Sequence, residues 1–377
     1  MTTILTNARL VLATEIVFGT VVLDGTAIAD VQPGRSHAPG AIDLDGDTLI
    51  PGVVDVHTDN LERQVQPRSN ARWPSRSAMV THDAQCAASG VTTVLDALCL
   101  GDLGFDQGRT QTFLEGVADL DALADTGLLK SEHFLHLRCE LPAADMLDLL
   151  DPVADNKRVR MVSLMDHSPG VGQYANMDRY RAMRRREGIP ADHVERRITE
   201  LQAQRERLRG PNRRRLLARM AGRPAALASH DDRTAEEIAE NHRDGIRISE
   251  FPVTLLAATE AKARGMLVIA GAPNIVRGGS HSGNVSAAEL VRQGAVDAFA
   301  SDYVPASLIE AAFACVGQTG ITLPEGVALV TSKPAAMAGL LDRGRIEAGL
   351  RADLVRLREH EGLPVVRQVW RAGERVN

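Results

Sequence analysis

The chain has 377 residues, of which 44% are hydrophobic and 24% charged, and its formal net charge is −6. These values suit a soluble globular enzyme and argue against a nucleic-acid partner, which would call for a basic excess. The opening MTTILTNARLVLATEIVFGT lacks a basic segment leading into a long apolar one, and no run of about eighteen apolar residues occurs, so neither a signal peptide nor a membrane span is expected.

Residues 1–49 read as short strands punctuated by turn residues, and the chain end, GRIEAGLRADLVRL then PVVRQVWRAGERV, has the same pattern. Residues 1–49 plus 343–377 are therefore expected to form one small β-sandwich domain outside a larger unit at 50–342. Within that unit apolar β-type runs alternate with helical patterns, which is the signature of an α/β fold. Strands are expected near 50–57, 91–96, 133–140, 158–166, 225–230, 246–251, 267–272 and 297–302. Eight strands are what a closed (β/α)₈ barrel of the TIM type requires. Only 3% of residues are aromatic, which leaves Ala, Val, Leu and Ile to fill the core. Cys86, Cys99, Cys139 and Cys315 are widely spaced and contain no C-x-x-C, so they read as buried thiols of a reducing, cytoplasmic setting. Residues 172–222 interrupt the alternation with an Arg- and Glu-rich helical stretch. It reads as a solvated helical hairpin laced with ion pairs, the alternative being a lid or a homodimer arm facing a polyanion.

Polar residues at the C-terminal ends of barrel strands share one mouth and are candidates for chemistry. Six such residues are of metal-ligand type: His57, Asp59, Glu140, His167, His230 and Asp302. His57 and Asp59 are two apart on an extended chain, so their side chains leave on the same side and can chelate one ion. Glu140 can bridge two ions, and imidazoles from two further strands can complete a second site. Asp302 is the candidate proton acceptor for a metal-activated water, whose pKa falls to about 7. Any one of the six is commonly just a satisfied polar group; six at the ends of five strands favour one or two divalent ions, with zinc the expected metal. His82, His133 and His136 are read as packing or supporting residues.

A second signal is GAPNIVRGGSHSGN at 271–284. Gly278, Gly279 and Gly283 allow close backbone approach, while Ser280, His281, Ser282 and Asn284 add donors and Arg277 adds a charged fork. Such a loop after the seventh strand suits a phosphorylated small molecule. Arg63, Arg68, Arg72 and Arg76 follow the first ligand pair and are weaker candidates.

PGVVDVHTD, the terminal β segments and GLRADLV resemble the amidohydrolase superfamily. With His57-Thr58-Asp59 in place of the usual His-x-His, and with HTDNLE, THDAQCAASG, HLRCEL, SLMDHSPGVGQY, LASHDD, ISEFPVT, RGGSHSGN and SDYVPASL, the chain resembles the PhnM family of phosphonate metabolism from about residue 45 to 357. The resemblance implies a diphosphatase. Pyrophosphate would leave the 5-triphosphate of α-D-ribose 1-methylphosphonate 5-triphosphate, ahead of the carbon–phosphorus lyase. It implies the same six ligands. The rivals are an amidohydrolase acting on a cyclic amide or deaminating a nucleobase, and a non-catalytic scaffold.

Overall fold

The computed structural model describes residues 2–68, 71–104, 108–280 and 283–377. Five strands open the chain: β1 (Thr2–Val11), β2 (Ile16–Asp24), β3 (Ala27–Pro33), β4 (Ile42–Asp43) and β5 (Thr48–Pro51). Eight more build the barrel: β6 (Val53–Thr58), β7 (Val91–Leu100), β8 (Glu132–Glu140), β9 (Val159–Met165), β10 (Ala226–His230), β11 (Ile248–Glu250), β12 (Leu267–Gly271) and β13 (Ala298–Ala300). Three close the chain: β14 (Leu354–His360), β15 (Leu363–Arg371) and β16 (Glu374–Arg375).

β6 to β13 pair in sequence order, every ladder parallel. One apolar cluster takes a residue from each of the eight: Val54, Leu95, Phe134, Met161, Ala228, Ile248, Ile269 and Ala298. It is the barrel interior, filled by aliphatic and small side chains as the low aromatic content requires. β13 closes onto β6 at the top, where Thr58 and Asp302 form a parallel bridge.

The expected strand 50–57 is divided between two sheets. β5 belongs to the terminal sheet and β6 to the barrel, with Gly52 between them. A Cβ at Gly52 would overlap the side chains of Thr92 and Asp353, so only glycine lets the chain cross there. The termini form one continuous mixed sheet in the order β16-β15-β14-β5-β1-β2-β3, with β4 also on β1. Its apolar side chains, including Leu10, Leu23, Ile28, Leu49, Leu354 and Trp370, enclose a core separate from the barrel's.

The Arg-rich interruption contains helices Met177–Arg186 and Ala191–Met220, the second running unbroken through Gly210 and Pro211. It is fastened to the barrel. Arg205 Nε donates to Asp166 at 2.6 Å, Arg209 Nη2 to Glu240 at 2.9 Å and Arg213 Nε to Asp244 at 2.8 Å. These arginines recur every fourth residue, so one helix face makes all three ion pairs. Asn212 donates to the carbonyls of Leu141 and Ala143, just past β8. Among the described residues no helix is long and apolar enough to cross a membrane.

The terminal sheet is locked by a charge contact between its two halves. Buried Asp47 accepts from Arg356 Nε at 2.5 Å and Arg358 Nε at 2.6 Å. Asp47→Ala leaves two arginines of β14 without their shared anion. A fully buried broken pair costs about 3–5 kcal/mol, and Arg358 is partly solvated. The expected loss is about 2–3 kcal/mol in urea unfolding, with metal content unchanged.

Candidate metal centre

The barrel seam places the first group. Asp302 N–H donates to the His57 carbonyl at 3.0 Å, and Asp59 N–H donates to the Asp302 carbonyl at 2.6 Å. Donor atoms of His57, Asp59 and Asp302 lie within 4.8 Å of one another. Below them Asp55, fully buried, accepts from the Ser301 and His57 N–H groups and so staples β13 to β6. Burial pushes the Asp55 carboxyl up to about 6.

Glu250, at the end of β11, sets the imidazoles. His57 Nδ1 lies 2.7 Å from its Oε1 and His230 Nδ1 lies 2.8 Å from its Oε2, while Ser163 Oγ donates to Oε2 at 2.9 Å. Burial opposes the charge, but His57 and His136 hold Glu250 well below the ordinary carboxylate range. An ionised carboxylate only accepts, so both Nδ1 atoms carry their protons and both Nε2 atoms turn to the mouth. His57 Nε2 is buried without a hydrogen-bond partner, 3.3 Å from Asp59 Oδ1. Burial pulls this imidazole down, yet Glu250 and Asp59 together push it up to about 10.

The second group is His167, His230 and Asp231, again within 4.8 Å of one another. Asp231 Oδ2 is buried with no hydrogen-bond partner and lies 3.9 Å from both His167 Nε2 and His230 Nε2. Unpartnered buried acceptors beside inward-turned imidazole nitrogens are the donor set of a divalent ion. Glu140, expected as a bridge, is placed behind His167. Its Oε2 is 2.6 Å from His167 Nδ1 and its Oε1 accepts the His167 N–H at 2.8 Å. Both oxygens are occupied in orienting that histidine, as Glu250 orients the other two.

Asp302 is mostly buried. Burial first, and the neighbouring Asp59 carboxylate second, push it above the usual carboxylate range. That is the direction a proton acceptor for water requires. The backbone is strained here. Asp231, Phe251 and Asp302 have φ of 58°, 53° and 56°. Each is pinned by its N–H to a neighbouring strand, at the carbonyls of Glu250, Ile269 and His57. Phe251 then sets its ring edge-on to His57 and His230, at 5.0 and 5.5 Å between centroids.

A cavity of about 320 Å³ opens over this wall, lined by His57, Asp59, His230, Asp231 and Asp302. Arg277, Gly279, Ser280, Asn274 and Asn284 line it as well. The expected phosphate loop thus reaches the mouth, but not with its glycine amides. Gly278 N–H donates to the Ile275 carbonyl and Gly279 N–H to that of Asn274, closing the turn after helix Ala272–Val276. Asn274 is committed to the backbone of Val285 and Ala287, whereas Arg277 lines the cavity and forms no ion pair among the described residues. His281 and Ser282 lie outside the described residues. Arg72 and Arg76 pair with Glu115 and Asp119, away from the cavity. His133 and His82 share buried Asp96 at 2.8 and 2.7 Å, and His136 Nδ1 donates to the Val56 carbonyl at 3.0 Å.

Two residues central to this geometry, Glu250 and Asp231, were not among the sequence candidates. Both stand at strand ends in ISEFPVT and LASHDD, and Glu250 is in register with His230.

An eight-stranded parallel barrel with two clusters of histidine and carboxylate donors at its mouth defines a class: hydrolases that work with divalent ions. Residues 234–377 match the model of an amidohydrolase family. The chain is 43% identical over 376 residues to the alpha-D-ribose 1-methylphosphonate 5-triphosphate diphosphatase of Escherichia coli (strain K12), covering 99% of this chain and all of that one. It superposes on N-acetyl-D-glucosamine-6-phosphate deacetylase from Mycobacterium smegmatis with a TM-score of 0.65 at 18% identity, covering 100% of both chains. Dihydropyrimidinase from Brevibacillus agri gives 0.64 at 14% identity, covering 100% of this chain and 95% of that one. These two likenesses concern the fold. The chain belongs to the amidohydrolase superfamily and, within it, to the PhnM family of diphosphatases.

Glu250→Gln keeps the shape but removes the charge that holds two Nδ1 protons. Metal affinity should fall about ten- to a hundredfold, the usual cost of losing such a partner. Competition with a chromogenic chelator measures it; affinity unchanged within a factor of two would remove Glu250 from this role.

Proposed function

We propose that this enzyme hydrolyses the 5-triphosphate of α-D-ribose 1-methylphosphonate 5-triphosphate, releasing pyrophosphate and leaving the 5-phosphate. The end-to-end kinship with the Escherichia coli diphosphatase carries this reading. The cavity agrees with it: its lining combines ligand-type donors with a cation and with hydroxyl and amide groups. A neutral cyclic amide would leave Arg277 without an anion.

In this reading His57, Asp59 and Asp302 hold one divalent ion, and His167, His230 and Asp231 hold a second. Glu140 and Glu250 fix the imidazoles from behind. Nitrogen and carboxylate donors in threes suit zinc. Bound ions would lower the pKa of water to about 7 and offset phosphoryl charge. Asp302, raised above its ordinary range, takes the proton as the water oxygen bonds to phosphorus. The bridging P–O bond breaks and its electrons leave with pyrophosphate. Arg277 and Ser280 hold the far phosphoryl oxygens. The four cysteines are buried and free, in keeping with a cytoplasmic enzyme.

Pyrophosphate release from a panel of ribosyl and nucleoside triphosphates tests the reaction, with cyclic amides as the contrasting substrates. Asp302→Asn should abolish turnover. Arg277→Ala should cost about ten- to a hundredfold in kcat/KM, the worth of one charge-assisted contact, with metal content unchanged. Faster cleavage of cyclic amides than of any phosphoanhydride would overturn the proposal.

A further inference from the structure

HLRCEL contributes a residue that the reaction as derived leaves unused. Arg138 precedes Glu140 by two on β8, so the two side chains leave the strand on the same side. Arg138 is only 7% exposed, yet it lines the cavity beside His57, Asp59 and Asp302. Its Nη1–H donates to Asp59 Oδ1 at 2.6 Å. Its Nε–H is buried with no partner among the described residues.

A guanidinium has five N–H donors in a fixed plane and keeps its charge at any working pH. Burying one with a donor unpaired is unfavourable unless an anion completes the set. Asp59 cannot be that anion alone. It lies 3.3 Å from His57 Nε2, and an ion held between those two groups draws on the same carboxylate charge. Filling the metal position thus weakens the present partner of Arg138, a residue that already lines the cavity. A phosphoryl group presents oxygens at the spacing a guanidinium fork matches. Arg277 and Arg138 both line this cavity, so two cations are available to the phosphoanhydride.

We propose that Arg138 is a substrate-binding residue that grips the phosphoryl group nearest the metal ligands, giving up part of its contact with Asp59 as the site fills. The inference rests on the phosphoanhydride reading above and adds a second, buried cation to it. Arg138 would also tie metal loading to anion binding, because the guanidinium becomes available when Asp59 is shared.

The test uses the zinc-loaded enzyme and imidodiphosphate, whose P–N–P bridge resists hydrolysis. Wild type, Arg138→Met and Arg138→Lys are compared by calorimetric titration, with metal content measured on the same samples. Arg138→Met should bind imidodiphosphate about ten- to a hundredfold more weakly at equal metal content. Arg138→Lys keeps the buried charge, guards against misfolding and should recover part of the loss, since it lacks the fork. KM for the ribosyl triphosphate should rise in the same order. Affinity of the Met variant within twofold of wild type would overturn the proposal and leave Arg138 as a neutraliser of Asp59. So would a loss that excess zinc restores, or a wild type that does not bind imidodiphosphate. A wild type that binds it but releases no pyrophosphate from any triphosphate would instead sink the proposed reaction, and the variants would still decide the role of Arg138.

Discussion

Glu250 is a fully buried carboxylate at the end of a three-residue strand, and the barrel mouth is organised around its two oxygens. One oxygen fixes a histidine from the first barrel strand and the other a histidine from the fifth. An unpaired charge in that position would be expelled or neutralised; two imidazole N–H groups and a serine hydroxyl keep it ionised. Because the proton of each ring is committed to the glutamate, the remaining nitrogen of each has one direction to face. Glu140 repeats the device on His167. Two glutamates that face away from the cavity thus determine what three histidines present to it.

The strained backbone follows from the same constraint. Residues leaving β10, β11 and β13 must turn sharply if their side chains are to enter the mouth, and a left-handed turn without glycine costs about 1–3 kcal/mol. Each turn is held by an N–H bonded to the neighbouring strand, so the barrel's own ladder fixes it. The arginine-rich helices support this arrangement from outside. Arg205, for example, grips Asp166, the residue before His167.

Much of this was legible before the structure. Strand periodicity placed all eight barrel strands, because parallel strands buried on both faces read as short aliphatic runs. Strand-end position then picked out His57, Asp59, His167, His230 and Asp302, all of which come together. The rule could not say which way a side chain's second atom points, so Glu140 read as a bridge although its oxygens are taken by His167. Glu250 is not legible in the sequence, because a lone acid at the end of a three-residue strand has no period to mark it. Only registration against His230 across the ladder reveals it. The described part of the glycine loop lies at the mouth, yet its glycine amides close a turn, a choice made by backbone hydrogen bonding that glycine content does not express. Gly52 parts two sheets where the apolar pattern runs on without a break.

The terminal sheet carries a consequence for how the protein is made. β5 lies between β1 and β14, and β14 begins only at Leu354. During synthesis the chain emerges from its N-terminus at about 5–20 residues per second. The whole barrel can therefore form while one edge of β5 still lacks its neighbour. An apolar strand with an open edge invites pairing with another chain. A nascent or truncated polypeptide that stops short of Leu354 would carry a finished catalytic barrel on a half-built sheet, ready to join its own kind.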